Sequence, residues 1–291
     1  MKRKRALSLL LLTAAFVLSG CVSQMASSPL ASSGMVSSFF SSSDSPSSSS
    51  TTSSISSSSS SSHASSPLPS SNSSSSNEVQ AYYSKVDLTA TGATLRGALG
   101  TMLNASAFSI PSYDALKTTL PKCDLDPDGS GKMLGFYDEA PLPTHWDYQA
   151  TWNREHVWPK SWGNLGTSGP GADPHMLRPA SVKINSSRGN SYYGLASDGL
   201  WDPGQYLAKY RGIAARICFY MATRYWKSNG LELAETATSN CMGKKSRLLE
   251  WNKAYPIDET ETHRNEVLYQ LYNVRNPFID YPNLATAIWG A

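Results

Sequence analysis

The pattern of apolar and polar positions divides the chain into three stretches. Residues 6–17 are mostly apolar, residues 26–77 are dominated by serine, and residues 79–291 mix apolar and polar positions with the periods of folded structure. A serine-rich stretch cannot bury enough apolar surface to offset its conformational entropy. We therefore predict a disordered linker over residues 22–78 and one folded domain over residues 79–291.

The clearest periodicity in the folded part lies between Tyr206 and Lys227, where apolar residues recur three and four positions apart. This spacing predicts an amphipathic helix. Strand signals are few and lie at Met133–Tyr137, around 152–158 and around 174–178, so the expected fold class is α+β with helices in the majority. Further helices are predicted over Thr91–Asn104, Tyr113–Leu120, 180–190, Ser246–Tyr255, Thr260–Asn273 and Asn283–Trp289.

Residues 1–21 have the pattern of an export signal. A basic start precedes an apolar core that is too short to span a membrane, and the segment ends in Leu18-Ser19-Gly20-Cys21. This ending resembles a bacterial lipobox, which implies cleavage before Cys21 and a lipid on its sulfur atom. The alternative is an ordinary signal peptide that is cleaved near Ala26. Two or more acyl chains would anchor the protein stably to a membrane.

Charge and cysteine content narrow the classes of function. Residues 79–291 carry 21 Lys and Arg against 20 Asp and Glu, and this near-neutrality argues against a strong, non-specific polyanion binder. Any binding of nucleic acid would therefore need a local basic patch. Besides Cys21, the chain has Cys123, Cys218 and Cys241, which permit one disulfide outside the cytoplasm but lack the spacing of a zinc site. The pairing stays open.

The segment around Asp124, Asp126, Asp128 and Gly129 imitates the start of an EF-hand calcium loop. The twelfth position should be a bidentate glutamate and is Gly135 instead. An Asp- and Gly-rich turn in contact with solvent is the favoured interpretation, and a calcium site is the alternative.

An acid, a histidine and an asparagine form the candidate site. Glu155 and His156 are adjacent, and Asn185 follows in a predicted helix. Phosphodiester hydrolysis needs a deprotonated water and a cation that takes up charge on the leaving oxygen. Histidine suits the base role because its pKa lies near neutrality. The side-chain oxygens of Glu155 and Asn185 suit Mg²⁺ better than zinc. We expect two paired strands with the helix at about 180–190 packed across them.

The chain resembles the bacterial endonuclease I family, which comprises secreted or periplasmic nucleases with a His-Me finger (ββα-metal) active site. The fragments that carry the resemblance are Tyr82-Tyr83, Trp152 to Ser161, Asp173-x-His175 through Asn190, Arg211-Gly212-x-x-Ala215-Arg216, Phe219-Tyr220-Met221, Glu261-x-x-Arg264-Asn265 and Arg275-Asn276-Pro277-Phe278-x-Asp280. The resemblance implies that His156 is the general base and that Glu155 and Asn185 bind Mg²⁺, with Ca²⁺ or Mn²⁺ as substitutes. It also implies cleavage of DNA or RNA with little sequence preference, leaving 5′-phosphates.

The resemblance does not identify the residue that binds the scissile phosphate. Some family members carry an arginine in the loop after the histidine, but residues 163–172 contain none here. Arg178 or Arg188 is expected to replace it in catalysis. Phosphate contacts are predicted from four basic residues near the site, namely Lys160, Lys183, Arg178 and Arg188. His175 is predicted to be structural, or to support a site residue, rather than to be catalytic.

These features predict an exported, surface-anchored, monomeric endonuclease. The alternative is a non-catalytic surface lipoprotein that binds extracellular DNA, although a pure binder has no use for a general base. A third possibility is a metal-dependent hydrolase with the same core and a different substrate. The smallest such change would be narrow selectivity for RNA.

Overall fold

The computed structural model describes residues 72–105, 108–236 and 238–290, with side chains from residue 76 onward. The predicted export signal, Cys21 and the linker up to residue 71 lie outside the described residues. Within the described part of the chain, no helix is both long and apolar enough to cross a membrane.

The described elements mix helices with short strands, which confirms the α+β class. The N-terminal part contains α1 (Asn72–Tyr82), α2 (Gly92–Leu103), α3 (Leu116–Cys123), β1 (Met133–Leu134) and β2 (Pro141–Leu142). The middle part contains β3 (Trp152–His156), β4 (Leu177–Ser181), α4 (Val182–Arg188), α5 (Tyr210–Arg224) and α6 (Trp226–Asn229). The C-terminal part contains β5 (Glu232–Leu233), β6 (Cys241–Met242), α7 (Lys245–Ala254), α8 (Glu259–Tyr272), α9 (Pro277–Asp280) and α10 (Leu284–Trp289).

Strands β3 and β4 form an antiparallel pair, and α4 follows β4 directly and packs on both strands. In this pair Glu155 lies opposite Arg178, and His156 lies opposite Leu177. The Ser181 hydroxyl accepts a hydrogen bond from the Ile184 amide and so caps the start of α4. The predicted order of strand, strand and helix is therefore present, although β3 and α4 are shorter than expected and β4 begins three residues later than expected.

Helix α5 forms the centre of the core. All of its residues except Arg211 are buried, so the amphipathic helix expected from the sequence is enclosed on nearly every side. Two glycines allow close packing against it. A Cβ atom on Gly100 of α2 would lie 2.8 Å from the Thr223 carbonyl oxygen, and one on Gly212 would lie 2.7 Å from that of Tyr255. These close approaches explain why glycine interrupts both helical patterns.

A buried carboxylate fastens the segment before β4 to α5. Asp173 is fully buried and accepts hydrogen bonds from the hydroxyls of Tyr220 and Tyr225 and from the guanidinium of Arg224. Arg264 of α8 supports the same segment because it donates to the carbonyl oxygens of Pro174 and Leu177 at 2.6 and 2.8 Å. The start of β4 is thus fixed by two separate arginines.

Several boundaries differ from the sequence-based expectation. Helix α1 begins inside the predicted linker and ends at Tyr82, which packs against the core, and the following residue, Tyr83, is part of the core. The helix predicted to end at Lys227 stops at Arg224 and is followed by the separate helix α6. Cys123, Cys218 and Cys241 are all unpaired, so none of the permitted disulfides forms.

The acidic segment that resembles a calcium loop is a turn. Asp124 is buried in ion pairs with Arg178 and Arg264. Asp126 accepts hydrogen bonds from the Asp128 amide and the Ser130 hydroxyl. Among the described residues, no group of three or more His, Cys, Asp or Glu side chains could hold a metal ion. The hydrogen bonds of Asp126 are those of an Asp- and Gly-rich turn, which is the favoured interpretation of this segment.

Replacement of Asp173 by alanine should strongly destabilise the fold, because it would leave the buried guanidinium of Arg224 without a counter-charge. Loss of one partner of a buried ion pair costs about 3–5 kcal/mol of unfolding free energy. Urea unfolding followed by circular dichroism measures this difference. Asp114→Ala is the control, since Asp114 forms an exposed ion pair with Lys117, and its unfolding midpoint should not change. Equal effects of the two substitutions would contradict this view of the core.

Candidate active site

A cleft of about 240 Å³ opens at the end of β3. Five of the predicted site residues line it, namely Glu155, His156, Lys160, Asn185 and Arg188. The other lining residues are Tyr113, Gln149, Asn153, Arg154, Pro159, Gly189 and Asn190. The separate elements β3 and α4 therefore bring the predicted acid, histidine and asparagine to one site.

His156 is held in one orientation by the loop that precedes β4. Its Nε2 atom lies 3.0 Å from the carbonyl oxygen of Gly171, and its ring stacks on that of Tyr113. A carbonyl oxygen only accepts hydrogen bonds, so Nε2 carries the proton and Nδ1 of the neutral ring has a free lone pair. Burial lowers the pKa of His156 to about 4 despite the Gly171 hydrogen bond, which keeps the imidazole neutral near pH 7. The neutral ring can therefore accept a proton at Nδ1, although its lowered pKa makes it a weaker base than a histidine in water.

Glu155 points toward a different set of partners. The Tyr137 hydroxyl donates to its Oε1 atom at 2.7 Å, and Nε of Arg188 lies 3.4 Å from the same oxygen. Only 1% of the residue is exposed. This burial raises the pKa of Glu155, and the Arg188 charge and the Tyr137 hydrogen bond oppose the rise. Its second oxygen, Oε2, has no hydrogen-bond partner among the described residues.

Asn185 reaches the cleft from α4. Its amide nitrogen donates to the side-chain oxygen of Asn153 on β3, which leaves its own oxygen without a partner in the described part of the chain. One carboxylate oxygen of Glu155 and one amide oxygen of Asn185 therefore remain available on the same cleft. Hard oxygen donors of this kind fit Mg²⁺, Ca²⁺ or Mn²⁺ rather than zinc.

Arg188 is buried and supports β3. Its guanidinium donates to the backbone carbonyls of His156, Val157 and Gly189 at 3.2, 2.7 and 3.1 Å. These bonds occupy the terminal nitrogens that would otherwise bind a phosphate. Arg188 therefore positions Glu155 and the end of β3 in this structure.

Arg178 and Lys183 are not among the residues that line the cleft. Arg178 forms an ion pair with Asp124 at 3.1 Å, stacks over Phe136 and lines a second cavity together with Tyr210. The prediction that Arg178 contacts phosphate therefore has no support, because its charge is already paired in another pocket. Lys183 is an exposed residue of α4.

His175 behaves as predicted for a structural residue. It is buried, its Nε2 atom lies 3.0 Å from the Val274 carbonyl oxygen, and its ring packs against Tyr220. Burial lowers the pKa of this imidazole to about 4 as well. Its contacts connect the segment before β4 to α5 and to the segment after α8.

The supporting residues of the site were missed from the sequence. Tyr137 and Tyr113 lie in other segments of the chain, and Gly171 contributes only its backbone. Asn153 and Arg154 belong to the motif itself, but their side chains had no assigned role. A period-two pattern along β3 could have indicated that Asn153 and Glu155 share one face and Arg154 and His156 the other.

Comparisons with known proteins agree with this geometry. The model of the family Endonuclease I matches residues 91–206 and 202–283. This chain belongs to the endonuclease I family. It is 37% identical over 231 residues to "Extracellular ribonuclease" of Bacillus amyloliquefaciens and, at the same identity, to "Extracellular ribonuclease" of Bacillus subtilis (strain 168). Each match covers 73% of this chain and 79% of the relative.

Membership of the endonuclease I family makes the chain a nuclease, a hydrolase that acts on nucleic acid. The family resemblance given by the sequence fragments is thereby confirmed. The non-catalytic lipoprotein is not supported.

Tyr137→Phe should move the acid limb of the pH–activity profile to higher pH. The hydrogen bond from Tyr137 lowers the pKa of Glu155, so its loss raises that pKa further and the carboxyl is protonated at a higher pH. Cleavage rates measured across acid and neutral pH test this. Tyr193→Phe is the matched control, because the Tyr193 hydroxyl bonds Tyr137 rather than Glu155, and its shift should be smaller. An unchanged profile in Tyr137→Phe would show that this contact does not tune Glu155.

Proposed function

We propose that the protein is an exported, Mg²⁺-dependent endonuclease that hydrolyses DNA or RNA with little sequence preference and leaves 5′-phosphates. The observation that carries this proposal is the meeting of Glu155, Asn185 and an oriented, neutral His156 in one cleft. A neutral imidazole with a free nitrogen suits a general base, and the two free oxygens suit a divalent cation.

The proposed reaction begins with a water near Nδ1 of His156. The imidazole takes one proton from the water, and the oxygen forms a bond to phosphorus while the bond to the 3′ oxygen breaks. The 3′ oxygen leaves with the electron pair and takes up a proton from solvent, and His156 releases its proton to solvent afterwards, so that the products are a 3′-hydroxyl and a 5′-phosphate. A divalent cation on Glu155 and Asn185 would supply positive charge for the developing negative charge.

The buried partners of these residues have distinct roles in the proposal. Tyr137 and Arg188 fix Glu155 and favour its ionised form. Gly171 fixes the tautomer of His156. Asn153 orients the amide of Asn185 so that its oxygen faces away from the shared hydrogen bond.

The phosphate contacts are assigned to the basic residues of the cleft. Lys160 is exposed, and Arg154 lies at the same cleft with its guanidinium 3.7 Å from the Tyr113 ring centroid. Both can reach a phosphate without leaving another buried charge unpaired. Arg188 acts through Glu155 in this scheme, and Arg178 has no role in it.

The substrate and the location rest on the relatives and on the N-terminal sequence. Both relatives are named extracellular ribonucleases, which supports RNA as one substrate and export of this chain. Lipidation of Cys21 and a serine-rich linker would hold a monomeric nuclease domain away from the membrane. The products would serve degradation of extracellular nucleic acid.

His156→Ala should lower cleavage of plasmid DNA and of RNA by at least about a hundredfold, the usual size of a general-base effect. Purified protein is assayed with Mg²⁺ and with EDTA, and EDTA should stop cleavage by the unsubstituted protein. His263→Ala is the matched control, because His263 is an exposed histidine outside the cleft lining. Cleavage that is indifferent to His156 or to EDTA would overturn the proposed mechanism.

Lys160→Ala should weaken binding of nucleic acid of any sequence and reduce the slope of log K against log salt concentration by about 1. The reason is that one fewer counterion is released when one phosphate contact is lost. Binding is measured in EDTA at several salt concentrations. Lys183→Ala serves as the control with the same change in charge, and a slope that falls equally in both variants would remove the special role of Lys160.

A further inference from the structure

An exposed aromatic residue stands beside the cleft. Tyr148 is 88% exposed, whereas the next most exposed large apolar residue of the described chain, Tyr206, is 49% exposed. Tyr148 lies in the loop before β3, and the following residue, Gln149, lines the cleft. The ring therefore projects into solvent from the loop that contributes Gln149 to the cleft, and Tyr148 itself is not among the lining residues.

The loop holds Tyr148 in an unfavourable backbone conformation. Tyr148 and Gln149 have φ angles of +58° and +70°, a region that residues other than glycine rarely adopt, and here two such residues are consecutive. The Asp147 carboxylate fixes the loop because it accepts hydrogen bonds from the Ala150 amide and from the amide and hydroxyl of Thr151. Strain that the surroundings maintain is characteristic of functional sites.

A stack of rings and cations connects this loop to the catalytic histidine. The ring of His156 stacks on the ring of Tyr113. The guanidinium of Arg154 lies 3.7 Å from the centroid of the Tyr113 ring and 4.9 Å from the centroid of the Trp146 ring. Trp146 precedes Tyr148 by two positions. Positive charge and aromatic faces thus alternate from the catalytic base to the exposed loop.

We propose that Tyr148 is a stacking platform for an unpaired nucleobase next to the scissile phosphate. Every nucleobase has a π-face, so a tyrosine ring binds any base without sequence preference, and Arg154 can bind the adjoining phosphate. A base inside a duplex is already stacked and paired. The platform therefore makes the enzyme favour single strands of RNA or DNA. This inference rests on the proposed function, because it assumes that the cleft holds a phosphodiester.

The test measures binding without catalysis. Fluorescence anisotropy with a labelled single-stranded oligonucleotide in EDTA compares the full chain with Tyr148→Ala and Tyr148→Phe. Loss of one stacked base should weaken binding at least about fivefold in the alanine variant, and the phenylalanine variant should retain the affinity. Tyr206→Ala, which removes an exposed tyrosine outside the cleft lining, should bind as the unsubstituted protein does.

Two further substrates separate this inference from the proposed function. Blunt duplex DNA should bind equally to all variants, and an oligonucleotide made of abasic residues, which has phosphodiester bonds but no aromatic ring, should be hydrolysed at the same rate by Tyr148→Ala with Mg²⁺. Undiminished single-strand binding by Tyr148→Ala, or an equal loss on duplex DNA, would overturn the platform. Absence of any hydrolysis by the unsubstituted protein would instead refute the proposed function and leave the binding result interpretable.

Discussion

The site depends on one constraint of strand geometry: consecutive residues of a β-strand point to opposite faces. Glu155 and His156 are consecutive, so each needs its own support before both can serve the same cleft. Tyr137 and Arg188 hold the carboxylate on the α4 side, and the Gly171 carbonyl holds the imidazole on the other. The strand ends at His156, where both faces become accessible from the same edge.

The rest of the core fixes these supports. Gly171 lies just before Asp173, and the contacts of Asp173 with Arg224, Tyr220 and Tyr225 attach this segment to α5. Arg188 connects α4 to the carbonyls at the end of β3. The buried Arg224 and Arg188 thus fix the segment before β4 and the end of β3. The orientation of the His156 imidazole follows from packing some distance away.

Local sequence predicted seven of the described helices but not α1, α6 or α9, and it predicted that the three central site residues lie together. Motif residues such as Glu155 and His156 are adjacent in the chain, and Asn185 lies in the next helix, so short-range patterns predict their proximity. Tyr137 and Tyr113 come from distant segments, and their approach depends on tertiary packing that periodicity does not contain. Arg178 is near the site residues in the sequence but not in the cleft. Its ion-pair partner Asp124 lies far away in the sequence, and the pair lines another cavity. Helix α1 begins in the serine-rich stretch, whose composition does not predict a helix, and it ends at Tyr82, which packs against the core.

The central claim is that Glu155 and Asn185 together bind the divalent cation beside His156. Crystals of the protein soaked in Mn²⁺ and measured near the manganese absorption edge test it most directly. One strong anomalous peak is expected within coordination distance of Oε2 of Glu155 and the side-chain oxygen of Asn185, and it should disappear in Glu155→Gln. A peak at the acidic turn of Asp126 and Asp128 instead, or a cleft without a peak at saturating Mn²⁺, would contradict it.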